Sequence, residues 1–167
     1  MSHTEDAVGT KSDRLPALMS IPVPWVFVIG YLAGIGVGFL FPVTIGSDFW
    51  LAVTQVLGIA SLTVGIVLAV WAQWIFHRQH TTTDPTKTTT SFVTWGPYRF
   101  SRNPMYLGLF LSFAGISGIF TFVWSILLLI IVVLYVNSVV IPAEERQLMY
   151  NFSEAYERYR SRVHRWI

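Results

Sequence analysis

From Asn103 to Ala143 the chain carries no charged residue. At 1.5 Å per helical residue that stretch is about twice as long as one crossing of a ~30 Å hydrocarbon core requires. It therefore reads as two short runs, Met105 to about Phe120 and Thr121 to about Ile141, joined with almost nothing between them. Gly115, Ser117 and Gly118 mark the expected bend of a tight helical hairpin. Two further apolar runs precede it, about Trp25 to Phe41 and Phe49 to Phe76. With 53% hydrophobic and 12% charged residues and a mean hydropathy of +0.55, the chain is too apolar for an ordinary soluble domain. The expected fold class is an all-α membrane protein of four transmembrane helices plus an amphipathic C-terminal helix. Spans are expected at about 24–41, 49–76, 104–120 and 121–141.

The polar segments organise around those spans. Residues 1 to 21 are expected to form a flexible cytoplasmic tail, and 22 to 167 a single membrane domain. Trp71, Trp74 and His77 close the second run as an interfacial aromatic belt. A threonine-rich polar loop, 78–103, follows. After Pro142 the pattern changes: Leu148, Phe152, Tyr156, Tyr159, Val163 and Trp166 recur every three or four residues with charges mostly elsewhere. That periodicity predicts an amphipathic helix over 143–163, lying on the membrane or on its own loop.

Charge placement sets the topology. Lys11 and Arg14 precede the first run, Arg78, Lys87, Arg99 and Arg102 occupy the central loop, and five arginines follow the fourth run. Four spans place all eleven basic residues on one side, so both termini and the central loop are expected in the cytoplasm. Gly30, Gly34 and Gly38 recur every four residues, baring one helix stripe for close approach of a neighbour. Gly34 to Gly38 is superficially like a nucleotide loop, but no strand precedes it.

The chemistry gathers at the cytoplasmic boundary. Asn103-Pro104 reads as a helix start, with Asn103 as the capping residue. Arg99, Arg102 and Asn103 then sit at a helix N-terminus, which suits a carboxylate or phosphate. Tyr98 and Tyr106 are placed to stack on or hydrogen-bond a polar ligand. Glu144-Glu145 leaves the fourth span on the same side, and acids at that depth are costly unless paired or functional. Together these groups suit a zwitterionic ligand of net positive charge. His77 and His80 lack a third ligand, so no metal is expected. No cysteine is present, which excludes thiolate chemistry. Nothing in the pattern suggests a nucleic-acid partner.

The run Val93-Thr94-Trp95-Gly96-Pro97-Tyr98-Arg99-Phe100-Ser101-Arg102-Asn103-Pro104-Met105-Tyr106-Leu107-Gly108, with Glu144-Glu145 and the later aromatics, resembles the isoprenylcysteine carboxyl methyltransferase and phospholipid methyltransferase superfamily. The resemblance covers about residues 78 to 167. It implies S-adenosylmethionine as methyl donor and a lipid or small hydrophobic acceptor, in a bacterial or archaeal plasma membrane. It further implies that Thr90, Ser91, Phe92, Val93, Gly96, Tyr98, Asn103, Pro104, Met105, Tyr106 and Glu144 bind the cofactor. Arg99, Arg102 and Glu145 are the residues assigned to the reaction itself. Three departures from the family pattern stand out. Asn103 replaces the His of the isoprenylcysteine enzymes, as in the phosphatidylethanolamine methyltransferases. Val140 stands where the isoprenylcysteine enzymes place a substrate-contacting arginine, and Ser153 replaces a usual Gly. An isoprenylcysteine-type carboxyl methyltransferase, an NADPH-dependent membrane reductase and a non-enzymatic lipid-binding module remain the alternatives.

Overall fold

The computed structural model describes residues 23–43, 46–80 and 93–167, and every regular element among them is helical. Helix α1 spans Val23–Leu40 and α2 spans Asp48–His80. A 3-10 turn, Gly96–Arg99, precedes α3, Pro104–Ile119. Helix α4, Val123–Tyr135, passes through a π turn, Val136–Val140, into α5, Ile141–Arg160. Among the described residues three helical stretches are long and apolar enough to cross a membrane: α1, α2, and the stretch from Val123 to Arg160, which kinks at Ser153. Helix α3 is shorter, 16 residues or roughly 24 Å. Large apolar side chains such as Ile29, Leu32, Val56, Leu57, Ile130 and Leu134 stay exposed on the outside of the bundle, as a lipid-facing surface requires.

Packing pairs α1 with α4 and α2 with α3, and α3 also touches α4. Small residues set both main seams. A Cβ added at Gly34 would lie 2.5 Å from Ser125 Cα, and one at Gly30 would lie 2.8 Å from Val132 Cγ2. The glycine stripe of α1 therefore serves an internal contact with α4. On the other seam Gly58 and Gly65 of α2 meet Gly115 and Gly108 of α3, each pair one heptad apart along its helix. Gly115 and Gly118 belong to this seam and not to the bend. The chain turns at Phe120–Phe122, where Thr121 adopts φ +56°. A Cβ at Gly115 would sit 2.5 Å from Leu62 N and 2.8 Å from Gly58 O, so only separation of the helices makes room for it. Gly115→Ala is expected to destabilise the protein by about 1–3 kcal/mol. Gly36→Ala, which has nothing within 4 Å, should be neutral or better in the same thermal unfolding measurement.

The amphipathic helix expected at 143–163 is present as α5, Ile141–Arg160, joined to α4 through the π turn with no loop between them. Pro142 lacks an N–H, and its ring normally collides with the preceding turn. Here the wide π turn lies directly ahead of it, with the Ile141 N–H donating to Val136 O, five residues back. The turn opens where the proline needs space, and the helix survives. Helix α5 ends at Arg160, and Ser161 to Ile167 turn back toward α3. Trp166 is thus no member of the helical stripe; its ring packs 5.4 Å from that of Phe110.

Ser153 interrupts α5 with φ +36° and ψ −111°. That region mirrors the extended conformation and is natural only to glycine. The family's Gly at this position has a backbone reason, and this chain pays it as strain. Ser153 is exposed and gives up little when trimmed. Ser153→Gly should therefore raise stability by about 1 kcal/mol, visible as a higher unfolding temperature.

Candidate functional site

The site begins with how the loop before α3 is held. Gly96 has φ +63°, and a Cβ there would run into Ile75 of α2, so only glycine lets the loop lie on that helix. Pro97 is buried and starts the 3-10 turn; its carbonyl accepts from the Phe100 and Ser101 N–H groups at 3.2 Å. Tyr98 is anchored from the other side, because the Tyr159 hydroxyl of α5 donates to its carbonyl at 2.7 Å. Burial raises the Tyr98 phenol to about 12, and the Glu144 carboxylate nearby adds to the effect.

The returning C-terminus fastens the next three residues. Arg102 N–H donates to His164 O at 3.0 Å. The Ser101 hydroxyl and the Asn103 amide both donate to Arg165 O, at 3.2 and 3.1 Å. Asn103 consequently does not cap α3 with its side chain, as the sequence had suggested; its own N–H donates to Ser101 Oγ. The amide is spent on tying α3 to the tail, and α3 begins without a side-chain cap.

Beneath this loop lies an ion-pair cluster. Glu145 is held between two guanidinium groups, Arg102 Nη1 at 2.8 Å and Arg165 Nη2 at 2.7 Å. The Arg102 and Glu145 side chains are only 11% and 15% exposed. Arg165 Nη1 reaches Asn137 Oδ1, and Trp166 Nε1 donates to the same oxygen at 3.2 Å. Asn137 lies inside the π turn, so that turn both accommodates Pro142 and presents an acceptor to the tail. Arg102 Nε is buried with no hydrogen-bond partner among the described residues.

Glu144 differs from its neighbour. Among the described residues no cation pairs with it, and the buried Tyr106 hydroxyl donates to its Oε1 at 2.6 Å. Its carboxylate remains accessible, yet enough protein surrounds it to push its pKa up by desolvation, with Glu145 adding repulsion. Glu144 is thus an exposed acid with a tyrosine, and no described cation, for a partner.

Tyr106 also faces the other way. With Met105 and Leu109 of α3, Pro24 of α1, and Ala69, Val70, Gln73, Trp74 and His77 of α2, it lines a cleft of about 550 Å³. The cleft is largely apolar, with Gln73 and His77 as its polar members, their side-chain nitrogens 2.8 Å apart.

The structure thus gathers Tyr98, Arg102, Asn103, Pro104, Met105, Tyr106, Glu144 and Glu145 around the loop, the start of α3 and the start of α5. Val93 and Gly96 lie on the loop's approach. Arg99 is exposed, its guanidinium 5.4 Å from the Phe100 ring, and it stands apart from the ion-pair cluster. Thr90, Ser91 and Phe92 lie outside the described residues. Arg165 and Asn137 were not singled out in the sequence, and His77 was read there only as part of the interfacial belt and as an incomplete metal pair. Arg165 looked like one of five tail arginines, and only the reversal after Arg160 makes it special.

Residues 53–155, well over half of the chain, match the family model for phospholipid methyltransferases. No curated protein and no solved structure matches the chain. The match starts within α2, earlier than the resemblance over 78–167, and stops in α5 just past Ser153, so the fastening tail lies beyond it. That family shares its superfamily of membrane methyltransferases with the isoprenylcysteine carboxyl methyltransferases. The chain belongs to the phospholipid methyltransferase family.

Proposed function

We propose that this protein transfers a methyl group from S-adenosylmethionine to a lipid or small hydrophobic acceptor, as a four-span membrane enzyme with both termini and the site in the cytoplasm. The observation that carries the reading is Glu144, an accessible carboxyl group that no described cation neutralises, bonded to Tyr106 and close enough to Tyr98 to act on its phenol. An ammonium group satisfies such a carboxylate. The cofactor's own carboxylate finds its complement at the α3 start, where the macrodipole favours an anion. Donor set and ligand charge therefore fit.

A methyl sulfonium brings an activated methyl group and its own leaving group when bound, so the chain has no bond to prime. Its work is alignment and exclusion of water. Tyr98 and Tyr106 supply an aromatic wall, and the cleft on the far face of Tyr106 gives an apolar acceptor a seat. Arg102 and Glu145 act as positioning residues: their pair, closed by Arg165, fixes the loop against α5. Both oxygens of the Glu145 carboxylate are committed to guanidinium groups, which moves it from chemistry to architecture. Arg99, exposed at the loop, faces the lipid phosphate region.

The test is incubation of purified protein in lipid nanodiscs with methyl-labelled S-adenosylmethionine and fractionated membrane lipids. Label in a lipid product, with saturable cofactor binding that weakens in Glu144→Ala and Asn103→Ala, is the expected result. Tight binding of NADPH with none of S-adenosylmethionine would replace the reading with a reductase.

A further inference from the structure

We infer that the stretch from Ser161 to Ile167 is a strap that switches the start of α3 between a ligand-ready and a self-capped state; the inference rests on the methyltransferase reading above. Seated, the strap takes the Asn103 amide and leaves the first N–H groups of the helix free for the cofactor's carboxylate. Unseated, it releases Asn103 to cap those groups itself. Two partners thus compete for one short side chain. By type Asn103 is among the best helix caps, its side-chain oxygen suited to accept from the N–H groups of Met105 and Tyr106. In the structure it makes no such cap, and its amide donates to Arg165 O at 3.1 Å.

The backbone shows why the two arrangements exclude one another. A capping residue takes extended angles, whereas Asn103 has φ −129° and ψ +51°. Its neighbours hold it there. The Asn103 N–H donates to Ser101 Oγ at 3.1 Å. The Ser101 hydroxyl, the Arg102 N–H and the Asn103 amide all end on two consecutive strap carbonyls, His164 and Arg165. Lifting the strap lets Asn103 turn to the extended region, where the cap forms. Pro104 has no N–H, so Met105 and Tyr106 carry the first donors of α3, and neither has an acceptor within the helix. A bound anion and a capping side chain need the same donors. Seating the strap keeps them open.

The strap is held lightly. No residue from Ser161 to Ile167 is fully buried. It is fastened by the Trp166 ring against Phe110, by the ion pair of Arg165 with Glu145, and by Asn137. Asn137, in the π turn, receives Arg165 Nη1 and Trp166 Nε1 on one oxygen and so acts as a positioning residue for the strap. Segments with few buried groups open at the lowest cost. Part of what is lost on release is offset by the new cap.

The test compares Asn103→Ala with Asn103→Ser in the full chain, in lipid nanodiscs. Serine caps a helix as well as asparagine does, but it is one bond too short to reach the Arg165 carbonyl. Alanine can do neither. Without cofactor, tryptic cleavage after Arg162 should quicken from wild type to Asn103→Ala, and again by up to about 5-fold to Asn103→Ser, the factor that a cap is worth. Affinity for S-adenosylmethionine should fall in the same order, because the binding-competent state is less populated. The serine variant should nevertheless unfold no earlier than the alanine one. Simple loss of a polar contact predicts the opposite ranking of the two variants. Saturating S-adenosylmethionine should slow cleavage of the wild type, since binding and seating are linked. Asn137→Leu, which leaves Asn103 and α3 unaltered, should quicken cleavage and weaken binding. Equal cleavage of Asn103→Ala and Asn103→Ser, cofactor binding as tight in serine as in alanine, or unchanged cleavage in Asn137→Leu overturns the switch and leaves the methyltransferase reading standing. Absence of saturable S-adenosylmethionine binding to the wild type overturns that reading and the switch with it.

Discussion

Glu145→Ala is expected to cost about 3–5 kcal/mol of stability, the largest loss of any single side-chain truncation at the site. The reason is what it leaves behind. Arg102, with 11% of its side chain exposed, and Arg165, with 31%, would face each other across an empty position with no anion between them. Breaking a largely buried pair is far costlier than never having built one, because the remaining charge keeps its desolvation penalty. The loss should appear as a lower unfolding temperature and as faster proteolysis of the tail after Arg160. Because Arg165 also carries the carbonyl that receives Ser101 and Asn103, cofactor affinity should fall in parallel. A double variant, Glu145→Ala with Arg165→Met, should recover part of the stability, since one orphaned cation is gone. No recovery in the double variant would mean that the cluster is not coupled as its geometry indicates.

Glu144→Gln separates binding from folding one residue away. Glutamine keeps an oxygen for the Tyr106 hydroxyl at nearly the same place but removes the charge. Cofactor affinity is expected to fall about 10- to 100-fold, the worth of a charge-assisted hydrogen bond. Stability should move the other way. The folded protein raises the Glu144 pKa, so this group favours folding while protonated and loses that contribution as pH climbs through its raised value. At neutral pH the wild type carries this small penalty and the glutamine variant does not. Its unfolding temperature should equal or exceed that of the wild type at neutral pH, and the advantage should vanish in acid. Calorimetry across pH, beside cofactor titration, reads both effects. A variant that binds normally would remove Glu144 from the site.

Much of this arrangement was legible in the chain because it follows from composition and local pattern. The charge-free stretch from Asn103 to Ala143 demanded two apolar helices, and the helix start at Pro104 followed from the residues around it. The convergence of the 96–106 segment on Glu144 and Glu145 also followed, given a hairpin that returns to its starting side. What escaped was whatever depends on distant partners. Asn103 is an excellent cap by type, yet a backbone carbonyl 62 residues later competes for its amide and wins. Gly58 and Gly65 showed no four-residue spacing like that of α1, and only their partners Gly115 and Gly108 reveal the seam. The direct join of α4 to α5 ahead of Pro142 was also hidden, because the π turn that shelters the proline leaves no mark in hydrophobic periodicity. Arg165 was one basic residue among several, and its role exists only because the chain doubles back after Arg160.

The π turn has a consequence for how this sequence can change. It holds one more residue than a regular turn, and so gives the chain slack that an α-helix lacks. Removing a single residue between Val136 and Val140 would let the turn close to the regular spacing, leaving Glu144 and Glu145 on the faces they now occupy. Pro142 would then meet an ordinary turn ahead of it, where its ring collides with the carbonyl four residues back. A one-residue deletion here should therefore keep the ion-pair cluster and bend the helix at the proline.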